Sequence, residues 1–238
     1  MPRKFFDQKL QSLNQDLTEV GNLVSSRIGD TIEALRGMDV KLAAQVVAGD
    51  VEVDRAQHSI EQECVQLLAL QQPIATDLRV IASCLKIITD IERVADQCAD
   101  ICEIITTGEL RANSILVSHV IQMLEMARAM FGRSMDVFLS RDVAEARNVC
   151  KDDDAVDSMF SKIVLEICGN ITQTPQNVMR EVDLMFITKY IERMADHATN
   201  IAEWVIYMET GEHPDLNAGS LPGKYGGSFK VSPVYTWL

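Results

Sequence analysis

The sequence predicts an all-α protein built as two tandem three-helix units, six long antiparallel helices in all, and three observations carry that prediction. Apolar residues recur at steps of three and four along six runs, the period of a helix with one buried face. Pro and Gly are scarce before residue 211 and crowded after it, so these runs are rarely interrupted. The stretch Ile91-Glu92-Arg93-Val94-Ala95-Asp96-Gln97-Cys98-Ala99-Asp100-Ile101 returns as Ile191-Glu192-Arg193-Met194-Ala195-Asp196-His197-Ala198-Thr199-Asn200-Ile201, with six of eleven positions identical. Matches that dense do not come from shared composition; the chain holds two copies of one unit. A 47% hydrophobic fraction with only 5% aromatics suits helix-on-helix packing.

The first unit is expected over residues 1–110. Leu10, Leu13, Leu17, Val20, Val24, Ile28 and Leu35 mark a helix over about 8–36. Gly37-Met38-Asp39 ends it, and Asp39 is placed to cap the next helix. There the inward stripe is Val46, Asp50, Val53, Gln57, Ile60, Cys64 and Leu67, up to a break at Gln71-Gln72-Pro73. The third helix, over about 75–107, carries Leu78, Ile81, Leu85, Ile88, Glu92, Ala95, Ala99 and Cys102 and stops at Gly108.

The second unit, over 111–213, repeats the scheme. A helix over about 114–139 turns Val117, Ile121, Leu124 and Phe138 inward, and one over about 143–171 carries Val149, Asp153, Val156, Phe160, Ile163 and Ile167. After Thr174-Pro175 the last helix runs over about 176–210, with Glu181 and Thr188 falling in its inward phase. Residues 214–238, rich in Gly and Pro, are expected to form a flexible or non-native tail.

Asp and Glu number 35 against 22 Lys and Arg, a formal net charge of −13. Binding a nucleic-acid backbone needs clustered cations, so no nucleic-acid partner is expected. No run reaches the roughly 18 apolar residues of a spanning helix. The start Met1-Pro2-Arg3-Lys4-Phe5-Phe6-Asp7 has no apolar stretch of a signal peptide behind it. The six cysteines contain no Cys-x-x-Cys pair and lie inside helical runs, where a free Cys acts as a small buried hydrophobe. Cys98 and Cys102 share a helix face, but core packing is favoured over soft-metal ligation. A reducing cytoplasm is the expected setting.

The informative residues are acids in or beside the apolar stripes: Asp50, Asp54, Glu92 and Asp96 in the first unit, Asp153, Asp157, Glu192 and Asp196 in the second. Residues four apart share a helix face. Residues equidistant from the turn of an antiparallel hairpin face one another. Pro73 stands midway between Asp54 and Glu92 and between Asp50 and Asp96, and Thr174-Pro175 lies midway between their counterparts. With helix axes about 8–10 Å apart, four carboxylates converge in each unit.

Such a cluster costs several kcal/mol per ion if desolvated without compensation. Arg93, Arg193, Arg55 and Lys86 are near in sequence and offer salt bridges; a bound cation is the other answer, and the doubling of the pattern favours it. All-oxygen ligation suits hard cations such as Mg²⁺, Ca²⁺, Mn²⁺ or iron. His197, beside Asp196, offers a nitrogen ligand to the second site only. The rival reading is a metal-dependent enzyme of the di-iron carboxylate kind. Those proteins use Glu-x-x-His motifs, and Arg55, Leu116, Met194 and Thr210 occupy the position three before each histidine here. No catalytic residue stands out, and the chain is expected not to be an enzyme.

Asp77-Leu78-Arg79 after Gln72-Pro73, Leu85-Lys86, the motif Ile91-Glu92-Arg93-x-Ala95-Asp96 and the stretch from Tyr190 to Glu203 together resemble the PhoU family, over roughly residues 5–213. The resemblance implies two three-helix repeats and multinuclear metal clusters held by Glu/Asp-x-x-x-Asp motifs. These are matched here by Asp50, Asp54, Glu92, Asp96, Asp153, Asp157, Glu192 and Asp196. The expected cofactor is a divalent or trivalent metal ion: iron, zinc, magnesium or manganese. The family role it implies is that of a phosphate-signalling adaptor. Its partners would be the ATPase subunit of a phosphate ABC transporter and a membrane sensor histidine kinase, and it would repress the starvation response when phosphate is plentiful. A homodimer in the cytoplasm, meeting the membrane only through partners, is the expected form. Ala95 stands where the family often has glycine, and Asn200 replaces the acid equivalent to Asp100, so the two sites need not hold the same number of metals.

Overall fold

The computed structural model describes residues 3–71, 75–107, 110 and 114–212. Six long helices occupy nearly all of them: α1 (Arg3–Gly37), α2 (Val40–Gln71), α3 (Ala75–Thr106), α4 (Ile115–Ser140), α5 (Val143–Gln173) and α6 (Val178–Thr210), with a 3₁₀ turn at Pro175–Asn177 ahead of α6. No helix among the described residues is long and apolar enough to cross a membrane. The expected breaks at Gln72-Pro73 and Gly108, and the tail over 214–238, lie outside the described residues.

The local chemistry explains the ends. Asp39 caps α2 as expected, its Oδ1 accepting from the N–H groups of Lys41 at 2.9 Å and Leu42 at 3.1 Å. Asp142 does the same for α5 through Ala144 and Glu145, and Ser114 caps α4 through Val117. Before each Asp cap, the residue that closes the preceding helix is left-handed: Met38 at φ 48° and Arg141 at φ 58°. The α6 helix stops at Gly211, whose φ of 79° a side chain would resist, and its N–H bonds back to Tyr207 O.

Packing arranges the helices in two layers. α2, α3, α6 and α5 lie side by side in that order, while α1 covers α2 and α3, and α4 covers α5 and α6. α3 and α6 run antiparallel, since Asp90 meets His197 and Arg79 meets Gly211. The core is continuous through both units. It is filled by the buried stripe of α1 (Leu13, Leu17, Val24, Ile28, Leu35), by Phe131 and Phe138 of α4, and by Ile81, Ile88, Ile91, Ile191 and Ile201 of the central pair. α1 and α4 come close because Gly21 has no side chain to obstruct the Met135 thioether.

Some inward expectations fail at the edges. Leu78, placed in the α3 stripe, is 47% exposed, while its neighbour Asp77 is buried, so the first turn of α3 faces the bundle with Asp77 and turns Leu78 outward. Cys168 is exposed while the other five cysteines are buried. It lies in the C-terminal half of α5, beside the exposed Leu165 and away from the buried Ile163–Ile167 stripe. Glu181 and Thr188, polar residues in the inward phase of α6, are indeed buried. Glu181 is satisfied by Arg180 at 3.0 Å and by Asn170 Nδ2 at 3.3 Å, and Thr188 returns its hydroxyl to Leu184 O.

Candidate metal centres

The α2–α3 hairpin brings its acids together. One oxygen from each of Asp50, Asp54 and Asp96 lies within 4.8 Å of the other two. Asp50 and Asp54 project one turn apart from α2, and Asp96 faces them from α3, as the distances from the turn predict. Burial raises the Asp50 carboxyl, and the charges of Asp54 and Asp96 raise it further. Asp96 is raised by burial while Arg93 pulls it back. Glu92 is raised by burial and then by Asp96.

Glu92 stands apart from the convergent trio. Its Oε2 is buried without a hydrogen-bond partner, and the nearest cation, Arg93 Nε, is 3.5 Å away. Arg93 Nη1 donates to Asp96 at 3.1 Å. A buried carboxylate oxygen left without a donor costs about 1–3 kcal/mol or more, and a cation would relieve it. Three convergent carboxylates and one orphaned oxygen make an all-oxygen donor set that suits a hard metal ion.

The α5–α6 hairpin holds the second set. Among the described residues only Asp50, Asp54 and Asp96 bring one oxygen each within 4.8 Å of the other two, so the expected convergence of four carboxylates in each unit is met by three acids in the first. In the second set Asp153, Asp157 and Asp196 each feel charge from others of the four. Asp153, 8% exposed, is pushed up to about 7, first by burial and then by Asp196, Asp157 and Glu192. Asp196 is pushed up to about 6 by burial and then Glu192, with Lys189 opposing. Asp157 is raised by burial and then Glu192. Lys189 pairs with Glu192, and its ammonium also lies 5.6 Å from the centre of the Phe160 ring.

Several neighbours differ from expectation. His197 turns its Nδ1 across the α3–α6 seam to Asp90 Oδ1 at 2.9 Å, and Asn200 Nδ2 donates to the same oxygen at 3.2 Å. A carboxylate can only accept, so His197 Nδ1 carries the proton in this contact. Arg55 and Lys86 stay exposed, and the cations that matter beyond Arg93 and Arg193 are Arg27 of α1, whose charge lowers Asp50, and Lys189. Arg193, from the second motif, is felt by Asp96 and Asp100 of the first. Arg27 has a visible signal, a charge in phase with the apolar stripe of α1. Lys189 precedes Glu192 by three residues, a spacing that signals an ion pair on one helix face. Its pull on Asp157, a residue of the facing helix, arises only when the hairpin closes.

The family model for the PhoU domain matches residues 17–105 and again 120–205. The chain is 34% identical over 218 residues to a phosphate-specific transport system accessory protein PhoU homolog of Clostridium acetobutylicum, covering 91% of this chain and 100% of that protein. It is 31% identical to the homolog of the same name from Rhizobium meliloti, over 88% of this chain and 89% of the relative. Among solved structures, PhoU of Pseudomonas aeruginosa superposes with a TM-score of 0.84 at 29% identity, over 87% of this chain and 100% of that one. The phosphate transport system regulatory protein PhoU of Streptococcus pneumoniae gives 0.82 at 28% identity, over 88% and 99%. Two matched domains, whole-length relatives and the same six-helix architecture lead to one conclusion: the chain belongs to the PhoU family.

Proposed function

We propose that this protein is a phosphate-responsive regulatory adaptor. It modulates uptake by a phosphate ABC transporter through the transporter's ATPase subunit, and it represses the starvation response through a membrane sensor histidine kinase. The observation that carries the transport role is similarity along nearly the whole chain to proteins named as phosphate-specific transport accessory proteins. The reading extends to a cytoplasmic homodimer that performs no catalysis of its own.

The same reading assigns metal ions to the two carboxylate sets, with Asp50, Asp54, Glu92 and Asp96 holding one and Asp153, Asp157, Glu192 and Asp196 the other. Support comes from the convergence of Asp50, Asp54 and Asp96 and from the orphaned Glu92 oxygen. A bound iron, manganese, magnesium or zinc ion supplies the positive charge that these acids lack. The residues themselves set the consequence. With their repulsion unanswered, α2 is pushed from α3 and α5 from α6, so the metal state tunes how firmly each hairpin presents its surface to a partner.

Two measurements test this. Elemental analysis of protein purified without added metal should find metal in the wild type and little in a variant carrying Asp50→Asn, Asp54→Asn, Asp153→Asn and Asp157→Asn. Co-purification with the transporter ATPase should persist in the wild type and weaken after chelation. A wild type that carries no metal would remove the metal assignment, and failure to engage the ATPase in either state would remove the adaptor role.

A further inference from the structure

The helices that cover the two sites match residue for residue. Met38 and Arg141 both close a helix in left-handed backbone, and Asp39 and Asp142 both cap the next. Counting back in step, Leu13, Leu17, Val20, Val24, Ile28 and Leu35 of α1 fall on Leu116, Val120, Met123, Ala127, Phe131 and Phe138 of α4, all buried. In that register Arg27, 8% exposed, falls on Met130, 3% exposed. Gly49 of α2 falls on Asp152 of α5. One unit buries a guanidinium where the other buries a thioether.

Arg27 reaches α2 because Gly49 leaves it room. A methyl group at Gly49 would stand 2.9 Å from both Cζ and Nη2 of Arg27, well inside carbon contact distance. The guanidinium donates to Val46 O at 3.5 Å and to Glu52 Oε2 at 3.0 Å, on either side of Asp50 in sequence. Its Nε is buried with no partner. Glu52 is 69% exposed, so its partnership is screened by water and leaves much of the Arg27 charge for the acids alongside. Val46 and Glu52 lie four residues before and two after Asp50 on α2, so the guanidinium stands about one turn from that carboxylate's place on the helix. In the second unit the α4 arginine that reaches α5 is Arg133, 38% exposed and already paired with both Glu145 and Asp152, and Lys189, paired with Glu192, is 51% exposed.

We propose that Arg27, seated in the notch at Gly49, is a resident counter-cation of the first carboxylate site and makes it the weaker, exchangeable metal site of the two. The proposal rests on the metal reading above. A divalent ion entering the first site must coexist with a fixed positive charge that cannot leave. Coulomb repulsion acts on that ion with twice the force it exerts on a competing proton. At the second site the nearby cations, Arg133 and Lys189, are exposed and already paired with acids, so water screens them and the penalty is smaller. The first site would then follow the surrounding metal concentration while the second stays filled, and Arg27 acts as a positioning and specificity-determining residue through Asp50.

The test is calorimetric titration of the metal-stripped full chain with Mn²⁺. Wild type should show two affinity classes, the weaker abolished by Asp54→Asn and the tighter by Asp157→Asn. Arg27→Met, which installs the residue of the matching position, should tighten the weaker class by on the order of tenfold and leave the tighter class unchanged. A residue with a merely structural role would loosen the first site when removed, so the sign of the change separates the two. Reversed or equal site affinities in the wild type overturn the proposal even if Arg27→Met fails to fold. An unchanged or loosened first site in Arg27→Met overturns it equally. No Mn²⁺ binding by wild type overturns the metal reading itself, an outcome distinct from the others.

Discussion

The α2–α3 and α5–α6 hairpins carry the same acids at the same spacing, yet they meet their charge differently. In the first, the buried Arg27 and the exposed Arg93 answer Asp50 and Asp96, and Arg193 adds its charge from the other repeat. In the second, Asp153 reaches about 7 and Asp196 about 6, with the exposed Lys189 opposing the rise at Asp196. Duplicated acids therefore do not have duplicated surroundings. The acids came with the repeat, while the cations that tune them sit on positions that diverged or act across the seam: Arg27 against Met130, and Arg193 reaching the first repeat's acids.

Metal removal should break this comparison most visibly. A ligand present at about a thousand times its Kd stabilises a fold by about 4 kcal/mol, which for a chain of this size corresponds to roughly 8–16 °C in Tm. Calorimetry before and after chelation should show a loss on that scale. Hydrogen exchange should find the α5–α6 hairpin losing more protection than α2–α3, and equal losses would contradict the electrostatic asymmetry.

The pH dependence of the stripped protein comes next in size. The Asp153 carboxyl is raised from 3.8 to about 7 in the fold, so the folded state binds a proton the unfolded chain has already released. Below pH 3.8 both states are protonated and nothing is lost; as pH rises toward 7 the folded state is progressively penalised. Stability should fall by a few kcal/mol across that window, since each tenfold difference in proton affinity between the two states is worth about 1.4 kcal/mol. Urea melts at pH 5 and pH 8 should show the slope, with Asp153→Asn removing the largest single share, Asp196→Asn the next and Asp50→Asn less.

The seam between the repeats offers a smaller effect. Asp90→Ala strands the His197 and Asn200 donors and should cost about 2 kcal/mol, whereas Tyr190→Phe, at the matching place in α6, should cost less. A thermal shift for Asp90→Ala no larger than for Tyr190→Phe would dissolve this asymmetry. The caps should be where the repeats agree. Asp39→Ala and Asp142→Ala should each lose about 1 kcal/mol, and unequal losses would show that the helix starts are less alike than their bonds indicate.

Six helices and the facing of the acids are legible in the sequence because both depend on short-range periodicity. Val46, Val53, Ile60 and Leu67 are buried on one face of α2, and the spacing of Asp50, Asp54 and Asp96 along the chain indicates which residues of α3 meet that helix. Leu78 and Cys168 escape that logic because each adjoins a buried residue, Asp77 and Ile167, and a helix turns about 100° per residue, so the apolar residue or cysteine points outward while its neighbour points in. His197 shows the same limit. Adjacency to Asp196 suggests a ligand, while a helix turns about 100° per residue, enough to aim the ring at Asp90 instead.

What the sequence determined alone is the repeat, the six amphipathic helices and the placing of eight acids on hairpin faces, because helical period and turn position are local properties. What only the tertiary structure decided is which charges reach those acids. Arg27 threads past Gly49, Arg193 serves the other repeat's acids, and Glu92 keeps an oxygen with no donor. The physical reason is that electrostatic energy depends on distance and burial in space, and residues far apart in the chain meet only when the helices pack.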